Sequence, residues 1–123
     1  MDVLKEIVAA EKDAVDFGFT WPNSDMAIDQ AADECREIKE ALLEGNSQKI
    51  QEEIGDLLHA GISLCVFAGF DVEETLCKAK DKFSARMAAL KILAEERGFQ
   101  SLEGQSTEVV LSLWKEAKKK AWP

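Results

Sequence analysis

Two pairs of carboxylates on adjacent predicted helices are the residues of this sequence whose spacing could support chemistry. Glu34 and Glu37 form an ExxE pair, and Glu53 and Asp56 form an ExxD pair on the next predicted helix. Residues three apart on a helix are neighbours, with Cβ atoms about 5 to 6 Å apart. Each pair lies beside a stripe of apolar residues, so the carboxylates flank a packing surface instead of pointing away from it.

Four carboxylates at a partly buried site repel one another, and they raise their own pKa values unless cations compensate the charge. Hard divalent ions such as Mg²⁺ or Mn²⁺ prefer oxygen ligands and leave positions open for water or phosphate. The pattern therefore predicts a divalent-cation site. The alternative is a solvated acidic helix face, because ExxE and ExxD pairs are common in acid-rich helices.

The elements that position these acids are helices. Apolar residues recur at helical spacing throughout, which predicts an all-α chain of about five helices in a single domain, residues 1–123. The predicted helices cover about 3–16, 25–43, 47–68, 71–97 and 107–120. A turn at Gly45 and Asn46 joins the second helix to the third, so the two run antiparallel and can bring the acid pairs together.

The spacing of apolar residues also predicts which helix faces are buried. On the second helix the predicted seam is Ile28, Ala31, Cys35, Ile38 and Leu42, and on the third it is Ile50, Ile54, Leu57, Gly61 and Leu64. The second half of the third helix is apolar nearly all round, so we expect this helix to be central.

The cysteines and the one histidine suggest structural roles. Cys35, Cys65 and Cys77 are odd in number, form no CxxC motif and have apolar neighbours, which predicts reduced, buried thiols. His59 follows Asp56 by three residues and is interpreted as a polar residue at the edge of a helix interface.

Composition restricts the partners. The 123 residues carry 15 Lys and Arg against 24 Asp and Glu, a net charge of −9, which disfavours a nucleic-acid polymer as a partner. No apolar run approaches the roughly 20 residues of a membrane span, and no signal-peptide pattern is present, so we expect a cytoplasmic protein without a membrane partner.

Residues 1–60 have a net charge of −10 and the rest +1. This asymmetry suggests that the acidic half holds cations and the other half an anion. The alternative, which charge alone favours, is that both halves present ordinary solvated helix faces.

Five sequence runs, in this order and at this spacing, resemble the MazG family of all-α nucleoside triphosphate pyrophosphohydrolases. They are GFTWP at 18–22, DECREIKEAL at 33–42, EEIGDLL at 52–58, KFSAR at 82–86 and LWKEAK at 113–118. The resemblance implies a four-helix-bundle-type fold completed by dimerisation, as a homodimer or a dimer of dimers. It also implies Mg²⁺-dependent hydrolysis of canonical or modified (deoxy)nucleoside triphosphates to the monophosphate and pyrophosphate, for housecleaning or control of nucleotide pools.

The resemblance further implies roles for individual residues. The metal ligands and catalytic acids would be Glu34, Glu37, Glu53 and Asp56, and the substrate contacts would be Lys49, Lys82, Arg86, Trp114 and Lys118. Which of the acids acts as general base stays open. The chain departs from the family pattern at Asp33, where Glu is frequent, and at Lys80, where Asn is common.

Two alternatives to a pyrophosphohydrolase stay open at this point. Helical bundles that hold two irons use paired carboxylates with Glu-x-x-His motifs, and Asp56 with His59 resembles such a motif. A non-catalytic helical dimerisation module is the other alternative. Neither the base preference, which depends on the surroundings of Trp21 and Trp114, nor the number of metal ions follows from spacing.

Overall fold

The computed structural model of the protein describes residues 2–123, which form five α-helices and no β-strand. The helices are α1 (Val3–Asp16), α2 (Ser24–Glu44), α3 (Ser47–Phe67), α4 (Val72–Glu96) and α5 (Thr107–Lys120). This confirms the prediction of an all-α chain with about five helices. No single helix among residues 2–123 is long and apolar enough to cross a membrane.

Side-chain caps explain why the helices begin and end where they do. The Asn23 side chain accepts a hydrogen bond from the backbone N–H of Met26, at 3.0 Å, and starts α2. Gly45 ends α2 in a left-handed conformation, with φ 73°, and Asn46 then caps α3. Such caps satisfy backbone groups that the helix itself leaves unpaired. The two-residue turn makes α2 and α3 a helical hairpin, and the two helices pack against each other.

The chain forms two compact units, one ending at Thr75 and the other beginning at Leu76. In the first unit α3 packs against both α1 and α2. The prediction that α3 is central is correct for this unit, although α3 contains no fully buried residue.

The buried face of α2 differs from the predicted seam by one residue position. Ala27, Glu34 and Ala41 are its buried residues, whereas Ile28 is 50% and Leu42 58% exposed. The prediction was wrong because it followed the largest apolar side chains. Two small alanines, with Glu34 seven residues from each, form the buried face instead.

The second unit contains the rest of α4, the loop that follows it and α5. Its core consists of Leu90 and Leu93 from α4 together with Leu113 and Ala117 from α5. Loop residues, including Phe99, pack against this core. The prediction for the thiols is wrong at two of three positions, because Cys35 and Cys77 are exposed while Cys65 is partly buried; none of the three forms a disulfide.

Candidate active site

Three of the predicted ligand residues meet between α2 and α3. Glu34 and Glu37 extend from α2 and Glu53 from α3, and one carboxylate oxygen of each lies within 4.8 Å of the others. We call these three residues the carboxylate cluster. Asp56 is exposed and lies outside this group of three, yet its charge acts on Glu34. The helical hairpin therefore brings both residues of the first pair together with Glu53 of the second.

The position of Glu34 follows from the buried face of α2. It lies seven residues after Ala27 and seven before Ala41, on the same stripe, and is only 8% exposed. Glu37 is one turn further along, and both Glu37 and Glu53 are half-buried. An acid at a position where helices pack needs a compensating partner, since burial of an unpaired charge is costly.

Burial and mutual repulsion raise the pKa of two members of the cluster. The pKa of Glu34 is raised above its ordinary value of 4.5 mainly by burial, with further increases from the charges of Glu37 and Asp56. Gln30 opposes this effect by donating a hydrogen bond from Nε2 to Glu34 Oε1, at 2.7 Å. The pKa of Glu37 is raised first by the contact of its carboxyl group with that of Glu53, and then by burial.

The cluster contains two buried oxygens that lack a protein partner. Glu34 Oε2 and Glu53 Oε2 have no hydrogen-bond partner among the residues that the structure describes. A buried polar atom left unsatisfied costs about 1–3 kcal/mol. Oxygen donors that are negatively charged, close together and short of partners fit a hard divalent cation. The chemistry of these residues thus agrees with the predicted metal site.

Lys49 lies near the cluster on the first turn of α3. Its Nζ donates a hydrogen bond to Glu44 Oε2, at 3.1 Å, and this contact is the main reason why its pKa is raised. The charge of Glu53 also contributes to that increase, so a positive charge lies within electrostatic reach of the cluster.

The other predicted substrate contacts belong to the second unit. Arg86 donates hydrogen bonds from Nε to the carbonyl of Ala121, at 3.2 Å, and from Nη2 to the carbonyl of Trp122, at 2.7 Å. The ring of Trp114 lies 6.1 Å from that of Phe83, between centroids, and packs against the core of the unit. The remaining two are Lys82, which is half-buried, and Lys118, which is exposed. Their roles in substrate binding stay predictions.

A cavity of about 630 Å³ adjoins the cluster within the first unit. We call it the α1–α3 cavity, because α1, the segment after it, α2 and α3 supply its walls. Apolar and aromatic side chains dominate these walls, Phe19, Trp21 and Phe67 among them, and Glu34 lines one part. Its volume is typical of small-molecule sites.

Sequence reasoning gave no site role to three polar residues of this cavity, although it did interpret His59 as a polar residue at the edge of a helix interface. Glu11, His59 and Ser63 line the cavity, and Glu11 contacts both of the others. His59 and Ser63 are four residues apart on one helix and so share a face. This spacing is visible in the sequence. Glu11 was not predictable from spacing, because its contact with His59 joins positions 48 residues apart.

The fold and the site together define an α-helical protein with a carboxylate cluster that could hold a cation, beside a largely apolar cavity. The family described as "MazG nucleotide pyrophosphohydrolase domain" matches residues 24–98, more than half of the chain. The chain belongs to this family, which confirms the resemblance seen in the sequence.

Two relatives are similar to this chain over part of their own length. The chain is 32% identical over 108 residues to a nucleoside triphosphate pyrophosphohydrolase/pyrophosphatase MazG of Thermotoga maritima, covering 88% of this chain and 41% of that protein. It is 27% identical over 113 residues to a nucleoside triphosphate pyrophosphohydrolase of Escherichia coli K12, covering 89% of this chain and 42% of that protein. The chain thus spans about two-fifths of the length of these relatives.

Proposed function

We propose that this protein hydrolyses (deoxy)nucleoside triphosphates to the monophosphate and pyrophosphate, with Mg²⁺ or Mn²⁺ held by Glu34, Glu37, Glu53 and Asp56. The observation that supports this most is the pair of buried carboxylate oxygens without hydrogen-bond partners in the described chain, at the centre of the carboxylate cluster. Family membership and the activity for which the two relatives are named support the reaction type.

The residues of the carboxylate cluster would have different roles in hydrolysis. A divalent cation bound there would neutralise phosphate charge and lower the pKa of a bound water. Glu37 and Glu53, whose carboxyl groups contact each other, are the two candidates to accept the proton of the attacking water.

Basic residues would stabilise the charge that builds up on the phosphates. Lys49 is the nearest candidate in the first unit, and its ion pair with Glu44 is partly exposed to solvent. Exposed ion pairs contribute little to stability, so Lys49 can exchange Glu44 for a phosphate at small cost. Lys82, Arg86 and Lys118, with Trp114 against the nucleotide, complete the proposed substrate contacts.

We expect the protein to act as a homodimer or a dimer of dimers. Large apolar side chains of α2 and α3 are exposed in the single chain: Ile28, Leu42, Leu43, Ile54 and Leu58. Covering such side chains with the same helices of a second copy would bury them in a symmetric interface. A cytoplasmic location and a role in housecleaning or control of nucleotide pools agree with this activity.

The non-catalytic alternative and the di-iron alternative make different predictions. His59 Nε2 contacts Glu11, and His59 lies outside the one cluster of metal-ligand type found among residues 2–123. This arrangement does not favour a di-iron centre. If the protein were a non-catalytic dimerisation module, replacing Glu53 would leave its function unchanged.

The test is a product assay on the purified chain with Mg²⁺ and a panel of NTPs and dNTPs. We expect pyrophosphate and the nucleoside monophosphate as products, and Glu53→Gln should reduce kcat at least 100-fold. The matched control is Glu52→Gln, which removes a charge from the exposed neighbour on the same helix. Release of orthophosphate, absence of turnover, or equal activity of Glu53→Gln would refute the proposal.

A further inference from the structure

One end of the α1–α3 cavity is polar, in contrast to its aromatic walls. Glu11 projects into it from α1, and its side chain is 15% exposed. His59 Nε2 contacts Glu11 Oε1, and the Ser63 hydroxyl donates to Glu11 Oε2, at 3.1 Å. A partner on each oxygen fixes the orientation of this carboxylate.

The hydrogen-bonding capacity of this polar end is mostly that of an acceptor. A carboxylate has about four lone-pair positions and no proton to donate, and the two contacts occupy two of the four. Ser63 uses its proton on Glu11, so its oxygen is left to accept. A ligand that enters the cavity therefore meets acceptors at this end and gains most by presenting N–H donors.

The walls and the position of the cavity indicate what kind of ligand enters. Phe19, Trp21 and Phe67 suit a flat, aromatic ring. Glu34 belongs both to the cavity wall and to the carboxylate cluster. A ligand with its ring in the cavity therefore lies beside the residues proposed to act on phosphates.

We infer that the α1–α3 cavity binds the nucleotide base and that Glu11, held by His59 and Ser63, selects bases with an exocyclic amino group over those with a carbonyl in its place. This rests on the proposed function for the identity of the ligand as a nucleotide. Cytosine and adenine place amino hydrogens opposite the carboxylate. Uracil and hypoxanthine place a carbonyl oxygen there, so two acceptors face each other; their only N–H donor on that edge is the neighbouring ring N–H, which reaches the carboxylate only if the base shifts.

The selecting carboxylate and the proposed catalytic acids come from different parts of the chain. Glu34, Glu37, Glu53 and Asp56 lie within the segment that matches the family, residues 24–98, and Glu11 precedes it. Base selection is thus separable from the hydrolytic residues and can be tested by binding alone.

The test compares ligand pairs that differ only at this group. Calorimetry of the full chain with CMP and UMP, and with AMP and IMP, gives two ratios of Kd. We expect CMP to bind about 10- to 100-fold more tightly than UMP, and we expect AMP to bind more tightly than IMP by a similar factor. This is the range of affinity that one hydrogen bond to a charged group supplies.

Two substitutions of Glu11 distinguish selection from general binding. Glu11→Gln converts one acceptor into a donor, and Glu11→Leu removes both acceptors; each should bring both ratios close to one. Asp13→Asn, which removes a charge from an exposed position on the same helix outside the cavity, should leave the ratios unchanged. Circular dichroism of each variant confirms that α-helix content is retained.

The outcomes separate this inference from the proposed function. Ratios near one in the wild type, no binding of any of the four nucleotides, or preserved ratios in both Glu11 variants would overturn it. A protein that releases pyrophosphate from CTP and UTP at equal kcat/KM refutes base selection alone. A protein that prefers CMP and AMP yet releases no pyrophosphate refutes the proposed reaction alone.

Discussion

Glu34 and Glu53 lie on consecutive helices and each buries a carboxylate oxygen, Oε2, that has no hydrogen-bond partner within the described part of the chain. Both residues belong to the carboxylate cluster. Two unsatisfied anionic oxygens in one place destabilise the fold, and a bound cation removes that penalty. The arrangement therefore predicts that a cation bound at the cluster would stabilise the fold.

The first prediction is that Mg²⁺ or Mn²⁺ stabilises the protein without any nucleotide. At 100 times the Kd, a ligand that binds only the folded state adds about 2.7 kcal/mol to the free energy of unfolding. For a chain of this size we expect Tm to rise by about 10 °C. Thermal unfolding followed by circular dichroism, with and without the cation, measures this effect.

The control for this experiment is the pair Glu53→Gln and Glu52→Gln. The first removes a member of the carboxylate cluster and should abolish most of the shift in Tm. The second removes the adjacent exposed charge and should leave the shift intact. Equal shifts in both variants would show that the cation binds elsewhere.

The second prediction concerns the pH dependence of stability without metal. The pKa of Glu34 in the folded state is raised above its ordinary value of 4.5, so the folded protein holds this proton more tightly than the unfolded chain. The free energy of unfolding must then fall as pH rises from about 4.5 through the raised pKa. The stabilising contribution is present below the unfolded value and is lost above the folded one.

Comparison with Glu34→Gln isolates this effect from the other titrating groups. Urea denaturation between pH 4.5 and 8 should show the wild type losing stability relative to the variant as pH rises. Saturating Mg²⁺ should remove the trend, because the cation favours the ionised carboxylate. A difference between the two proteins that does not vary with pH would contradict the assignment.

Most of the helix boundaries were predictable from sequence, because local residues determine them. The predicted bounds of the helix before Gly45 and of the one after Asn46 agree with the structure to within one residue. The carboxyl pairs were predictable for the same reason: a spacing of three on a helix and a tight turn between helices are local facts.

The parts that sequence did not reveal depend on packing between distant segments. Nothing in the spacing of α2 shows that Ala27 and Ala41 are buried while Ile28 is half exposed. Likewise the contact between Glu11 and His59 exists only because α1 packs against α3. Which face of a helix is buried is determined in the assembled fold, where the shape of the side chains matters as well as their hydrophobicity.

The third prediction is that Arg86 stabilises the second unit in addition to any role toward substrate. Its guanidinium donates to the carbonyls of Ala121 and Trp122, and Trp122 has a φ of 62°, which is unfavourable for a residue with a side chain. Arg86→Lys replaces the two donor nitrogens, held apart in a rigid plane, by a single nitrogen and so loses this geometry. We expect a loss of about 1–2 kcal/mol in the free energy of unfolding and faster amide exchange at Ala121 and Trp122.

The matched control is Arg36→Lys. Arg36 is exposed and pairs with the side chains of Asp33 and Glu40 on its own helix, so its replacement should change stability by less than about 0.5 kcal/mol. If both variants lose the same free energy of unfolding in urea denaturation, the hydrogen bonds of Arg86 to Ala121 and Trp122 do not stabilise the fold.

The fourth prediction is that the exposed apolar side chains of α2 and α3 form an interface between two copies of the chain. Leu42 is 58% and Leu58 67% exposed, and a charge at either position should prevent burial against an identical surface. We expect Leu42→Asp and Leu58→Asp to sediment as monomers in analytical ultracentrifugation, where the wild type sediments as a dimer or tetramer. Leu111→Asp, a change at a similarly exposed leucine of α5, 59% exposed, should retain the wild-type mass. A monomeric wild type, or a dimer that survives both α2 and α3 substitutions, would place the interface elsewhere or remove it.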